Sequence, residues 1–209
     1  MIRVTPNAQS AKFLAGRLCL DFVNTKSGRG TSTERERLVD YNDLLVWSVR
    51  AHVLSEEQAA ALERRASTDR RAAEEALDRA RRLRDALHAV FVAIAHGRPV
   101  PGGALAIVNS ALVDAARHGG IAEHDGTFGW QWPRDSVDSM VWPIAHSAVE
   151  LLTGDRLARI GECGGVACGW LFLDETRNRS RRWCEMEVCG NRAKARRHYR
   201  RGHATSAEG

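Results

Sequence analysis

The sequence lacks any long apolar run. Among its 209 residues, no stretch approaches the roughly 18 apolar residues of a membrane-spanning helix. The first ten residues lack the apolar centre of a secretion signal, and the chain lacks the motifs of a nucleophile elbow, a phosphate-binding loop or a zinc protease. These absences argue against membrane, secreted and common enzyme classes. We therefore expect a cytoplasmic protein that is not an enzyme and has no membrane partner.

Positive charge is concentrated near the C-terminus. Residues 1–162 contain 21 Lys/Arg and 21 Asp/Glu, whereas residues 163–209 contain 10 and 5, so the net charge of +5 comes from the second segment. With 44% hydrophobic residues, the chain is long enough for one full-sized domain and a small second one. Such asymmetry favours a nucleic-acid partner for the basic segment.

Four of the five cysteines fall as C-x4-C, fifteen residues, C-x4-C: Cys163, Cys168, Cys184 and Cys189. Paired thiols at this spacing are typical of a tetrahedral zinc site, and four thiolates leave no open coordination position. We predict one structural Zn²⁺ ion. His198 and His203 are alternative ligands, but the paired spacing favours the cysteines. Cys19 lies in an apolar run and is interpreted as a core residue.

The segment from residue 40 to residue 152 carries mainly helical signals. Asp40 and Ser55 are predicted to cap helices, and the longest helix is predicted over Asp69–His96. Further helices are expected over residues 103–117 and about 143–152. Residues 121–132 alternate around Asp125-Gly126 and predict a β-hairpin. We expect a mainly α (α+β) N-terminal domain, residues 1–160, with this one small hairpin.

Residues 161–203 are expected to form a small treble-clef-like zinc finger, composed of a knuckle, a β-hairpin and an α-helix. The hairpin is predicted to pair residues 170–173 with residues 181–183, before a helix over residues 192–201. Its expected core is too small to fold without metal; it consists of Trp170, Leu171, Phe172 and Trp183. Residues 204–209 are expected to be a disordered tail.

The predicted C-terminal helix is basic over about half of its circumference, at about 100° per residue. Its basic residues are Arg192, Lys194, Arg196, Arg197, Arg200 and Arg201. Ala195 and Tyr199 would form a narrow packing strip on the other side. Such an arc suits contact with phosphates or with a DNA major groove. The alternative is that some arginines, most plausibly Arg181, Arg182 and Arg192, neutralise the zinc–thiolate charge.

Three segments resemble the CGNR zinc finger: Trp170–Asp174 (WLFLD), Arg181–Cys184 (RRWC) and Cys189–Lys194 (CGNRAK). In addition, Leu18–Thr25 (LCLDFVNT) resembles the opening motif of the ABATE domain, which precedes this finger in bacterial stress-response transcription regulators. The resemblance implies a helix-rich domain of about 160 residues joined to a DNA-binding finger. It also implies that the four paired cysteines are the metal ligands.

Three other groups of residues have both a structural and a functional interpretation. Asp21 and Asn24 interrupt an apolar stretch, so they either fix a local turn or line a pocket for a small-molecule effector. His146 and Glu150 share a helix face but have no third ligand nearby in the sequence, which favours an ordinary helix pair. The aromatic residues between 128 and 142 fit a ligand cavity or core packing equally well.

We predict a transcription regulator that contacts DNA through its basic helix. Its N-terminal domain would sense a ligand or mediate dimerisation, since a homodimer pairs two half-sites. One alternative is an RNA-binding module, in which exposed Trp170 or Trp183 would stack on bases. Another is a small-molecule enzyme with a purely structural finger, which would require a deep polar pocket with displaced pKa values.

Overall fold

The computed structural model describes residues 5–205, with side chains except those of His124 and residues 201–205. The region before the cysteines is mainly helical, as predicted. Its helices are α1 (Pro6–Gln9), α2 (Leu18–Val23), α3 (Tyr41–Arg50), α4 (Glu56–Thr68), α5 (Arg70–Ala95), α6 (Gly102–His118) and α7 (Val141–Thr153). Within residues 5–205, no helix combines the length and apolar character needed to cross a membrane.

Three two-stranded antiparallel sheets accompany these helices. They pair β1 (Lys26–Ser27) with β2 (Arg35–Glu36), β3 (Gly120–His124) with β4 (Thr127–Gln131), and β5 (Ile160–Glu162) with β6 (Leu171–Leu173). A 3-10 turn over Leu157–Arg159 leads into β5. A π-helical turn over Met186–Gly190 leads into the C-terminal helix α8 (Asn191–Thr205).

Both predicted helix caps are present. The Asp40 carboxylate accepts a hydrogen bond from the backbone N–H of Asp43, and the Asp43 side chain accepts one from the backbone of Asp40. Ser55 and Gln58 form the same reciprocal box at the start of α4. Because each box satisfies N–H groups that a helix terminus otherwise leaves unpaired, the local sequence favours a helix start at these positions.

One large core holds the N-terminal helices together. The long helix α5 buries one face in this core, and Trp47 of α3 is fully buried between the rings of Phe13 and Phe22, with centroids 5.9 and 5.2 Å away. Cys19 is also fully buried here, which confirms its interpretation as a core residue. Desolvation by burial raises the pKa of its thiol to about 12.

The hairpin β3–β4 turns where the sequence predicts it. Asp125 and Gly126 both have positive φ angles, 51° and 76°, as a tight two-residue hairpin turn requires. Its apolar residues Phe128 and Trp130 are exposed, whereas Trp132 and Trp142 are buried in the core. Core packing therefore accounts for two of the aromatic residues in this part of the chain, and two remain at the surface.

The predicted hairpin of the finger is wrong in its pairing. Residues 181–183 do not form a strand, and β6 pairs instead with β5, which lies before the first cysteine. The knuckle Cys163–Cys168 is therefore part of the connection between the two strands. The segment after β6, residues 174–181, is held by the side chain of Asp174. Its carboxylate accepts hydrogen bonds from Thr176 and from the backbone N–H of Arg181.

The strand β6 contributes to two cores. Leu171 and Leu173 lie in the large helical core, whereas Trp170 and Phe172 pack with the cysteines in a separate small cluster. This follows from the two-residue period of a strand, which points successive side chains to opposite faces. The predicted finger core is therefore corrected at Leu171, which packs against the N-terminal helices.

Candidate functional site

The four paired cysteines converge on one point. Their sulfur atoms all lie within 4.8 Å of one another, and three of the Sγ–Sγ distances are 3.6, 3.7 and 3.7 Å. A tetrahedron with Zn–S bonds of about 2.3 Å has edges of about 3.8 Å. A disulfide would need about 2.05 Å, and all four cysteines are free. The sulfur cage thus has the size and donor set of a structural zinc site.

The close contacts among the cysteine sulfur atoms shift the pKa values of their thiols. Hydrogen bonds from Cys168 and Cys184 lower the pKa of Cys163, while the same contacts raise the pKa values of Cys168 and Cys184. Such thiols cannot all ionise together unless a cation offsets their charge. A bound zinc ion supplies that charge and ties the two cysteine pairs together.

Backbone geometry at the knuckle points the first two sulfurs inward. Ala167 and Gly169 have positive φ angles of 57° and 68°, and the backbone N–H of Gly165 donates to the sulfur of Cys163 at 3.4 Å. A Cβ atom at Gly165 would lie 3.1 Å from the sulfur of Cys189. Glycine at this position therefore leaves the space into which the sulfurs converge.

The second cysteine pair is positioned by Arg181 and by the π-helical turn. The Arg181 guanidinium lies 4.4 Å over the ring of Phe172 and donates to the backbone carbonyls of Leu14 and Cys184, at 2.9 and 2.8 Å. In the turn, the backbone N–H of Cys189 donates to the carbonyl of Glu185 at 3.0 Å. Arg181 thus fixes the backbone at the metal cluster, as a structural role would require.

The N-terminal region also contacts the cluster. The backbone N–H of Gly28, in the β1–β2 loop, donates to the carbonyl of Cys168 at 3.0 Å. Arg37, immediately after β2, is 8% exposed; its guanidinium lies 5.5 Å over the ring of Trp170 and donates to Ser27 Oγ. The β1–β2 hairpin is therefore one wall of the metal site.

Helix α8 follows the π-helical turn that contains Cys189. The described basic side chains on it are all exposed: Arg192, Lys194, Arg196, Arg197 and Arg200. The side chain of Arg201 lies outside the described set. The expected packing strip is wrong, because Ala195 is exposed and Tyr199 is 64% exposed. Over residues 194–200, every described side chain of the helix is therefore exposed.

Two family models match the chain. The ABATE model, described as "putative stress-induced transcription regulator", matches residues 16–155, which is more than half of the chain. This chain belongs to the ABATE family. The CGNR zinc finger model matches residues 159–202, so the ABATE protein carries the finger after the family region, in the order that the resemblance implied. No curated protein sequence matches the chain.

The comparisons and the sulfur cage agree on the cofactor and on the class of protein. A CGNR finger with a four-cysteine cluster fits one structural zinc ion. One family description names a transcription regulator and the other names a zinc finger, which fits a protein that is not an enzyme. Among the described residues of this ABATE protein, the four cysteines are the one group of three or more His, Cys, Asp or Glu that could hold a metal.

The other candidate residues have structural contacts. Asn24 is 3% exposed, and its side-chain amide bonds to the backbone of Leu171. Asp21 accepts a hydrogen bond from the backbone N–H of Ala15 at 3.0 Å. His146 and Glu150 lie 3.7 Å apart, as an ordinary helix pair does. A ligand role for Asp21 and Asn24 stays a prediction.

The β1–β2 hairpin and its arginines were not predicted from the sequence. Arg35 and Arg37 lie two residues apart, which places both on one face of an extended segment beside the metal cluster. A signal was present, because residues 28–33 are rich in Gly, Ser and Thr and follow the family's opening motif. The strands have only two residues each, too few for a periodic pattern.

Proposed function

We propose that this ABATE protein is a transcription regulator that binds duplex DNA through helix α8. One observation carries the proposal: α8 is exposed and basic, and the sequence of residues 191–205 contains no Asp or Glu. Within the described side chains, the basic residues of α8 form no ion pair. A helix whose cations have no protein partner is suited to binding a polyanion.

The geometry of the metal site argues against a role of the outer α8 arginines, Arg197 and Arg200, in neutralising the zinc–thiolate charge, because neither lines the groove beside the cysteines. Arg181 uses its donors on backbone carbonyls around the cluster, and Arg37 contacts Trp170 next to Cys168. These two cations stand beside the cluster, whereas Arg197 and Arg200 are exposed farther along the helix. The outer arginines are therefore the stronger candidates for phosphate contacts, together with Arg201 on sequence grounds.

The N-terminal region would sense a ligand or mediate dimerisation. Phe128 and Trp130 are exposed apolar side chains on β3–β4, and with Trp132 and His146 they line a cleft of about 590 Å³. An exposed aromatic cluster of this kind suits either role. A dimer would present two copies of α8 to two half-sites. The protein would then act in the cytoplasm, where bacterial DNA is accessible.

The RNA-binding alternative requires tryptophans that can stack on bases. Trp170 is 7% exposed and lies under Arg37, and Trp183 is half-buried beside Gly164. These positions favour structural roles over stacking. We therefore propose DNA binding, and the experiment below compares duplex DNA with single-stranded RNA.

The experiment measures binding of the zinc-loaded full chain to a mixed-sequence duplex by fluorescence anisotropy across a salt titration. If α8 neutralises about five phosphates, log K should fall against log salt with a slope of about −4 to −5. The double variant Arg197→Glu/Arg200→Glu should reduce duplex affinity by more than tenfold and retain zinc. The matched control is Arg64→Glu/Arg70→Glu, which makes the same charge change at two exposed positions, one on α4 and one at the start of α5.

Two results would reject the proposal. Either the α8 variant binds the duplex as tightly as the control, or matched single-stranded RNA binds more tightly than the duplex and shows the same dependence on α8. Point variants in the full chain are required because Leu171 and Leu173 belong to the large core. A truncation before β6 would therefore damage the N-terminal region as well as remove the finger.

A further inference from the structure

A groove with mostly basic walls lies between the N-terminal region and the finger. It encloses about 310 Å³. Residues 165–168 of the knuckle line it, and its charged side chains come from four parts of the chain: Lys12; Arg35 and Arg37 of the β1–β2 hairpin; Glu185 before the π-helical turn; and Arg192 and Arg196 of α8. The two regions of the protein therefore share one charged surface.

The hairpin is held against the finger by contacts on both of its sides. Gly28 donates its backbone N–H to Cys168, and Arg37 bonds to Ser27 while lying over Trp170. A Cβ atom at Gly28, where φ is 63°, would lie 2.7 Å from the carbonyl oxygen of Thr33. The close β1–β2 loop therefore requires glycine at this position, and it keeps Arg35 at the rim of the groove.

The charge of the groove is positive even with metal bound. Apart from the cysteines, five of its six charged side chains are cationic, and Glu185 is the acidic one. Zinc with four thiolates adds two negative charges. The balance remains positive, so a ligand with negative charge is favoured at this place.

The acidic side chain of the groove, Glu185, and that of Glu34 in the β1–β2 loop are already paired. Glu185 binds Lys12, with 2.5 Å between Oε2 and Nζ, and Glu34 binds Lys26 at 3.0 Å. By contrast, within the described side chains, Arg35, Arg192 and Arg196 form neither ion pairs nor side-chain hydrogen bonds. Three guanidinium groups from two regions of the protein thus line one groove without a protein partner.

We propose that this groove binds a backbone phosphate of duplex DNA, with Arg35 of the N-terminal region acting together with Arg192 and Arg196 of α8. The inference rests on the proposed function and adds a second wall to the interface. Arg192, Arg196 and Arg200 are spaced four residues apart, so they follow one face of α8. The first two line the groove, which places a phosphate clamp at the start of a helix whose residues 197–200 are exposed.

Such a clamp has a definite task in DNA recognition. Phosphate contacts fix the register and orientation of a protein on the duplex. A helix beside them can then enter the major groove of the DNA. A single small finger offers few contacts of its own. A cation from the N-terminal region therefore gives the ABATE domain a direct part in DNA binding.

The test compares Arg35→Gln, Arg196→Gln and the control Arg64→Gln, each in the zinc-loaded full chain. Arg35 is exposed, and so is Arg64 on α4, so the two variants remove the same charge from surfaces of similar exposure. We expect Arg35→Gln to reduce the steepness of the log K–log salt slope by about 0.9, and to weaken duplex binding about eightfold at 0.1 M salt. Arg35→Glu should weaken binding further, and zinc content should remain one ion per chain.

The outcomes separate this inference from the proposed function. If Arg196→Gln weakens duplex binding but Arg35→Gln has the same duplex affinity as Arg64→Gln, Arg35 does not contact the DNA. The inference of a shared groove is then overturned, and DNA binding by α8 stands. If Arg35→Gln weakens binding of inorganic phosphate but leaves duplex binding unchanged, the groove is a small-anion site and the inference is again overturned. If the α8 variants also bind as the control does, the proposed function fails as well.

Discussion

Asn24 pairs with both backbone groups of Leu171. Its Nδ2 donates to the Leu171 carbonyl oxygen at 2.8 Å, and its Oδ1 accepts from the Leu171 N–H at 2.9 Å. The side chain thus replaces a neighbouring strand at the free edge of β6. Because Asn24 follows directly after α2, this contact joins the family's opening motif to the strand between the two cysteine pairs.

Replacing this amide should lower stability substantially. Asn24→Ala leaves a buried donor and a buried acceptor of Leu171 without partners, and each such group costs about 1–3 kcal/mol. We expect the free energy of unfolding of the zinc-loaded protein to fall by about 2–4 kcal/mol, measured by urea denaturation. Asn109→Ala, at an exposed position on α6, is the control. A loss below about 0.5 kcal/mol at Asn24 would contradict the pairing.

Zinc removal should change the reactivity of four thiols and leave the fifth protected. In the zinc-loaded protein we expect no rapid reaction with a thiol reagent, because the ion holds four sulfurs and Cys19 is fully buried with a raised pKa. A strong chelator should release one zinc ion and expose four reactive thiols. Cys19 should react after full denaturation. Rapid labelling of Cys19 in the native chain would refute its assignment to the core.

Asp21 should make stability fall as pH rises from about 4 to just above its folded-state pKa of about 6. Burial, the largest cause, raises its pKa to about 6, although hydrogen bonds from the backbone N–H groups of Ala15 and Leu14 oppose the shift. A raised folded-state pKa means that the folded protein binds the proton more tightly than the unfolded chain does. The stabilisation is therefore present at low pH and is lost as pH rises through the folded pKa.

The variant Asp21→Asn removes this titration and keeps an oxygen that can accept from Ala15. Relative to the parent protein, the variant should gain about 1 kcal/mol of stability between pH 5 and pH 7 and change little above pH 7.5. Paired denaturation curves at each pH measure this difference and cancel any common effect of acid on the zinc site. A constant difference across the range would show that Asp21 titrates normally.

Helix α8 should become more stable when DNA binds. Arg192, Arg196 and Arg200 repeat at intervals of four, and like charges at this spacing destabilise a helix by a few tenths of a kcal/mol per pair. Phosphates would relieve the repulsion. We expect backbone amide exchange over residues 192–200 to slow on addition of duplex, while exchange in α5 stays unchanged. Equal exchange with and without duplex would argue against α8 as the contact.

The sequence predicts elements that depend on neighbouring residues. Asp40 and Ser55 mark helix starts because their partners lie three residues away, and Asp125-Gly126 marks a hairpin because the turn itself needs positive φ angles. The cysteine cluster is predictable for a similar reason, since its ligands come in closely spaced pairs. In each case the physical cause lies within a short stretch of chain.

The missed features depend on contacts between distant segments. The segment 181–183 has the composition of a strand, but Arg181 bonds to carbonyls on several segments, and β5 takes the place beside β6. The contact of Gly28 with Cys168 joins residues 140 positions apart. A linear pattern carries no record of such partners, so neither the hairpin pairing nor the shared groove follows from it.

The strand β6 also limits how this architecture can be recombined. Trp170 and Phe172 face the cysteines, whereas Leu171 and Leu173 face the helices. If the finger were expressed alone, the two leucine side chains would be exposed to solvent. If the finger were fused to another protein, that protein would need an apolar surface to cover the two leucines and a side-chain amide equivalent to that of Asn24. The finger should therefore not fold independently of the N-terminal region. Chimaeric proteins should tolerate replacement of α8 alone far better than replacement of the whole finger.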